Sequence, residues 1–290
     1  MRFSFGLIAY AIATATVFAS PSSERQENPV VQELQRFRAY PHLDRAYQLI
    51  DEDRLVEAKE ELATGLAFDP GNAQARESLV IVLHRLADYE AVIREAEFVV
   101  AADSRSAVGL LYRGMARQAL GRLEAAEEDF LAASELSDIG EDEKTMALDT
   151  LADMAIRQGR YAEALDYLDR LPASSHGFSF SYRRGVALDA LGEVVQAVSS
   201  YREAIGVAPG VSERMIVSKS LVDLFRRNGE FVQAREALLE ALDIDPEDVQ
   251  LMQSLGEVSY RLGDDAEAIR RTLSVLQSPQ GLSDSDRYAL

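Results

Sequence analysis

The sequence predicts an all-α fold, a solenoid of about seven helical hairpins wound as a right-handed superhelix. Three observations predict it. A small residue recurs at intervals of 34, 34, 38, 33, 37 and 34, as Ala58, Val92, Ala126, Ala164, Ala197, Ala234 and Ala268. Five residues before each stands a turn residue: Asp53, Ala87, Gly121, Gly159, Gly192, Gly229 and Gly263. Apolar residues recur at helical spacing, as in Leu238, Leu239, Ala241 and Leu242, and no segment alternates with a period of two.

The elements follow in order. Residues 1–19 read as a signal peptide: one Arg, an uncharged run from Phe3 to Phe18, then Ala19 at the expected cleavage position. A membrane anchor is the alternative, but the run is shorter than the roughly 20 residues a span needs. Residues 20–36, rich in Ser, Glu, Gln and Asn, read as a flexible linker. The solenoid then occupies 37–290, with hairpins at about 39–72, 73–106, 107–144, 145–177, 178–214, 215–248 and 249–282. The extra residues around Asp138 to Asp142 and Gly210 to Glu213 fall in loops between hairpins, which tolerate insertion.

Further columns keep the same phase. Twelve residues before each recurring small residue stands another small one, Ala46, Gly114, Ala152, Gly185 and Gly256, with Val80 and Val222 as exceptions. Four after it comes a bulkier residue in most hairpins: Leu62, Phe130, Leu168, Tyr201 and Leu238, with Ala96 and Thr272 departing. Twelve after it, Pro70, Pro209 and Pro246 end the second helix, since Pro cannot continue one. Glycine ends the first helix in five hairpins, where a left-handed backbone costs it little. Asn72 and Asp248 are expected N-caps of the following helices. Five columns in phase over seven units resemble the tetratricopeptide repeat (TPR) family, over roughly residues 39–280.

In that family the first helices line a concave groove that holds the ligand. The residues expected to face it are Tyr40, Leu43, Tyr47, Ile50, Ile81, His84, Leu111 and Met115 in the first half, largely apolar. In the second half they are Tyr182, Lys219, Arg226 and Tyr260, more cationic, with Asp223 and Glu257 among them. A peptide or partner helix would lie along the apolar half with an acidic end near the cations. The plainer reading is that several of these side chains pack against neighbouring helices. TPR domains that clamp chaperone C-termini use Lys and Asn at the places held here by Leu43, Tyr47 and Ile81, so that activity is not expected.

Composition removes most chemistry. With 30 Lys and Arg against 49 Asp and Glu the net charge is −19, which argues against nucleic acid and anionic lipid as partners. Cysteine is absent, which removes disulfides, thiolate metal sites and a Cys nucleophile. His42, His84 and His176 stand far apart, so neither a metal site nor a His-based acid/base site is expected. No phosphate-binding glycine loop or nucleophile elbow occurs. Glu60-Glu61 and Glu127-Glu128 read as solvated faces, and Ser175-His176 as an ordinary loop pair. No enzyme activity and no cofactor are expected.

The segment Phe37-Arg38-Ala39-Tyr40-Pro41-His42-Leu43-Asp44-Arg45-Ala46-Tyr47 resembles the opening of the bacteriophage adsorption protein A (NfrA-type) family, and the likeness runs on through Asp69-Pro70-Gly71-Asn72 to about residue 100. Read from the residues alone, Tyr40-Pro41 fixes where the chain enters the solenoid, and Leu43, Ala46 and Tyr47 seal its end. The resemblance implies a periplasmic scaffold, outer-membrane associated, that works with an inner-membrane glycosyltransferase complex in exopolysaccharide synthesis and export. It also implies phage adsorption, for which those longer proteins use a C-terminal outer-membrane barrel. The chain as given carries no alternating strands for such a barrel and is not read as an integral membrane protein. The rival expectation is a general envelope-assembly helper that holds outer-membrane clients.

Overall fold

The computed structural model describes residues 29–137 and 139–277. The expected signal peptide, most of the residues read as a linker, Asp138 and the segment after Gln277 lie outside the described residues. Among those described there are fourteen α-helices and no strand. They fall into two compact units that meet in sequence at Leu86 and Ala87. The first holds α1 (Pro29–Asp51), α2 (Leu55–Phe68) and α3 (Ala73–Arg85). The second holds α4 (Tyr89–Ala102), α5 (Ala107–Ala119), α6 (Leu123–Ser134), α7 (Glu141–Arg157), α8 (Tyr161–Asp169), α9 (Phe178–Ala190) and α10 (Val194–Val207). It continues with α11 (Val211–Arg227), α12 (Phe231–Ile244), α13 (Val249–Arg261) and α14 (Asp265–Gln277). Helices consecutive in sequence pack on each other within each unit, as hairpins and between hairpins.

Turn chemistry explains where the first helices stop. Gly121, Gly159, Gly192, Gly229 and Gly263 all have φ between 74° and 80°. The residue after each donates its N–H to a carbonyl five residues back, as Arg122 does to Arg117 at 2.8 Å and Glu230 to Phe225 at 2.9 Å. This is the Schellman closure, and it satisfies carbonyls the helix end leaves open. Asp53 and Ala87 hold the same position with φ of 59° and 56° without being glycine. Three first helices, α3, α5 and α13, are capped at their start by a side chain that accepts: Asn72 from the Ala75 N–H at 3.0 Å, Ser106 from Gly109 at 3.1 Å, and Asp248 from Leu251 at 3.0 Å. Asn72 and Asp248 were legible in advance; Ser106 was not singled out.

The phased columns become the core. The recurring small residues are all buried, six of the seven completely. Small first-helix residues face bulky second-helix ones across the hairpin. A Cβ added to Gly114 would lie 3.0 Å from Phe130 Cε1, and one added to Gly185 would lie 2.6 Å from Tyr201 Cδ1. In the fourth hairpin the same columns hold Ala152 and Leu168, both fully buried. Volume is conserved across the interface rather than residue type, as close-packed interiors demand.

One boundary differs from expectation. Residues 29–36, read as part of a flexible linker, are helical, and α1 runs straight through Tyr40-Pro41. Pro29 suits the first helical position, where an N–H has no partner to lose, and Pro41 sacrifices only one hydrogen bond of a long helix.

Candidate partner-binding surface

In the second unit the first helices of successive hairpins share one face, because single hollows are lined by several of them. One hollow of about 490 Å³ lies among Gln118 of α5, Leu123 of α6, Asp149, Thr150, Asp153, Met154 and Arg157 of α7, and Arg183 of α9. Asp149 and Asp153 stand one turn apart on α7. Arg183 reaches across from α9 to pair with Asp149 and lies 3.7 Å from Asp153, which also accepts from Arg157 at 2.7 Å. Leu123 and Met154 supply the apolar patch, and Gln118, Gln158 and Thr150 supply neutral donors and acceptors.

A second hollow, about 370 Å³, lies between α11 and α13 and is lined by Lys219, Asp223, Arg226, Gln250, Gln253, Ser254 and Glu257. Arg226 bonds Glu257 at 2.5 Å and approaches Asp223 at 3.5 Å. Lys219 bonds Asp248 at 2.7 Å. Burial works against ionising Asp248, but the Lys219 ammonium and the Leu251 and Gln250 N–H groups outweigh it and hold the carboxyl below the ordinary aspartate range. This face offers a peptide side chains already held in fixed directions, with donors and acceptors interleaved.

The expected site residues divide. Lys219 and Arg226 line the second hollow together. Tyr260 is 69% exposed on α13, and Tyr40 is 68% exposed on α1. Tyr182 is half-buried, stacked on Phe178 at 6.0 Å and tilted against Tyr201 at 6.2 Å. Met115 is half-buried against the core. In the first unit Tyr47, Ile50, Ile81 and His84 are half-buried. The Tyr47 pKa is raised by burial despite a hydrogen bond to Ser78, and that of His84 is lowered by burial. Two placements need correction. Leu43 and Leu111, only 8% and 2% exposed, belong to the core and line no open surface. Leu43 leans onto Gly65, where an added Cβ would meet its Cδ2 at 2.3 Å; the missing side chain on α2 draws it in.

A tetratricopeptide repeat family profile matches residues 111–177, 150–212 and 220–281, more than half of the chain. The chain belongs to the tetratricopeptide repeat family. Solved TPR structures share its fold. The C-terminal part of a TPR repeat-containing protein from Cytophaga hutchinsonii superposes with a TM-score of 0.66 at 14% identity, over 84% of this chain and 98% of that one. YrrB, described as a TPR protein with an unusual peptide-binding site, gives 0.56 at 16% identity, over 66% and 95%. Among curated proteins, the photosystem I assembly protein Ycf3 of Synechococcus elongatus is 27% identical over 94 residues, 32% of this chain. The chain spans about half the length of the curated relatives it matches, 54%.

Two features of this TPR array were missed from sequence. Asp149 and Asp153 stand in the same columns as Leu111 and Met115, one hairpin on; the signal was the spacing Asp149-x-x-x-Asp153-x-x-x-Arg157 on a first helix. The other is a buried ion cluster. Asp129, 3% exposed on α6, accepts from Arg113 Nη2 at 2.6 Å and Arg117 Nη1 at 2.7 Å, both on α5. It clamps one hairpin and opens onto neither hollow. Among the described residues no helix is long and apolar enough to cross a membrane, and no group of three His, Asp or Glu is placed to hold a metal.

Proposed function

We propose that this TPR protein is a periplasmic scaffold, outer-membrane associated, that holds a protein partner in exopolysaccharide synthesis and export, with an inner-membrane glycosyltransferase complex as that partner. The observation that carries the binding role is the shared first-helix face of the second unit. There Asp149, Asp153, Arg157 and Arg183, with the Gln side chains beside them, present pre-oriented donors and acceptors to an extended peptide. A peptide suits these hollows better than a glycan: none of their lining residues is Tyr or Trp, the flat platforms on which sugars stack. The compartment rests on the Phe3–Phe18 pattern, and the pathway on the likeness of residues 37–100 to the NfrA-type proteins. The scaffold carries out no reaction of its own.

The name of Ycf3, an assembly protein, favours a second reading, in which the array assists assembly of envelope proteins. One experiment separates the two. Wild-type protein and the double variant Asp149→Lys/Asp153→Lys are cross-linked in envelope fractions and recovered. Glycosyltransferase subunits captured by the wild type and lost in the variant support the scaffold. Capture of unassembled barrel proteins instead supports the assembly role. The same abundant proteins recovered with both chains would refute binding through this face.

A further inference from the structure

The hollow among α5, α7 and α9 holds two guanidinium groups in unequal ways. Arg183, 23% exposed, is a fixture: its Nη1 bonds Asp149 Oδ1 and its Nε lies 3.7 Å from Asp153 Oδ1. Arg157 is a loose occupant. Its side chain is 78% exposed, and its Nε makes a single 2.7 Å bond to Asp153 Oδ2, one turn back on the same helix. An exposed pair four residues apart on a helix is held weakly, because solvent screens the charges and ordering the long Arg side chain costs entropy. Asp153, 30% exposed, therefore has one oxygen toward a fixed cation and the other toward a cation that leaves readily.

The rest of the hollow suits a long basic side chain. Leu123, 40% exposed, gives it an apolar wall over the buried Met154, and Gln118 and Thr150 add neutral polar groups. A cationic side chain binds best where its methylene stem lies along apolar surface and its charged head reaches a carboxylate. The volume, about 490 Å³, falls within the roughly 300–1,000 Å³ typical of small-ligand pockets. With Arg157 turned away, two carboxylates face one guanidinium, and the excess negative charge sits at Asp153. The chain as a whole, at a net −19, draws cations toward it.

We propose that this hollow is an arginine subsite: an Arg side chain of the bound peptide displaces Arg157 from Asp153 Oδ2, lays its stem along Leu123, and leaves Arg183 in place on Asp149. The inference rests on the peptide-binding reading of this face and names the chemistry the peptide must carry. Arg157 is then an internal stand-in for the ligand. A guanidinium is what Asp153 already holds, and a free one can bond a carboxylate through two N–H groups where Arg157 uses one. The exchange keeps the charge of the hollow constant, so no half-buried carboxylate lacks a counter-ion before or after binding. A neutral side chain gains nothing here, because it would have to remove a cation without replacing it.

The test is fluorescence anisotropy on the full chain with two labelled peptides, capped at both ends, that differ only in a central Arg or norleucine among Ala, Ser and Leu. The Arg peptide should bind the wild type at least about tenfold tighter than the norleucine peptide, and Asp153→Asn should abolish that preference. Arg157→Gln should tighten the Arg peptide about two- to fivefold and leave the norleucine peptide unchanged. Arg202→Gln, which removes the same charge from an exposed site on α10 outside the hollow, should alter neither. All three variants should keep the wild-type circular dichroism and melting. Equal binding of the two peptides would overturn the arginine subsite while leaving peptide binding by the array standing. Arg157→Gln binding no tighter than Arg202→Gln would overturn the displacement. Binding of neither peptide would also overturn the inference, whereas the scaffold reading is decided separately, by what the envelope cross-linking captures.

Discussion

Replacing Gly185 by Ala tests whether paired volumes across each hairpin hold the array together. The added methyl would sit 2.6 and 2.7 Å from Cδ1 and Cε1 of Tyr201 and 3.2 Å from its Cγ. The ring has little freedom to give way: Tyr201 is 2% exposed, and its hydroxyl donates to Asp189 at 3.4 Å. Overpacking of this kind costs about 1–3 kcal/mol, and the helix propensity gained by removing a mid-helix glycine returns about 1 kcal/mol. The expected net loss is up to about 2 kcal/mol in urea unfolding followed by circular dichroism. Tyr201→Leu alone opens a cavity and also destabilises. Combining the two recreates the Ala152–Leu168 pairing of the fourth hairpin, so the double variant should be more stable than the sum of the singles by at least about 1 kcal/mol. Gly192→Ala is the control. Its φ is +80° with nothing within 4 Å of the added Cβ, so it should cost about 1 kcal/mol of backbone strain and show no coupling to Tyr201. Additive behaviour of Gly185→Ala with Tyr201→Leu would refute the volume argument.

Other outcomes follow from the same geometry. Ala87→Gly relieves a left-handed alanine and should raise stability by about 0.5–1 kcal/mol in thermal unfolding; Asp53→Gly should gain less, because it also loses the exposed 2.6 Å pair with Arg85. Asp129→Ala strands Arg113 and Arg117 without their carboxylate and should cost about 3 kcal/mol by urea titration. Asp248 has a folded pKa below its unfolded one, so its stabilisation is fully present above about pH 4 and fades as pH falls through the folded value. Asp248→Ala should therefore be about 1 kcal/mol less stable than the wild type at pH 7, with the gap closing in acid. Ala164→Glu should abolish the cooperative melt, since it drives a charge into a fully buried contact.

The hairpins were legible because their signals are local and repeated. A turn residue five before a small one, with a bulky one four after it, fixes two helices and the face on which they meet. The start of α1 was not legible, since Ser, Gln and Glu suit a linker and an exposed helix equally well, and the choice at Pro29 depends on a helix already formed beyond it. His84 and Tyr47 were rightly placed on first helices, but how far each sinks between neighbours is decided by the helices beside them, which spacing along one helix does not record.

The inner face is where sequence reading went furthest astray, and the reason is general to stacked helices. A first helix meets its own partner, the hairpin before and the hairpin after, leaving a narrow strip open. An apolar side chain at the margin of that strip gains by leaning into any neighbouring space, as Leu43 does onto Gly65 and Leu111 does into the core of its hairpin. A carboxylate or guanidinium in the same column loses by doing so and stays in the strip, as Asp149, Asp153 and Arg183 do. The stack thus sorts its own columns: apolar residues are drawn into the core and charged ones remain to meet a ligand. Recognition on this face then depends on ion pairs that salt weakens. Binding of a peptide to the second unit should therefore fall as ionic strength rises.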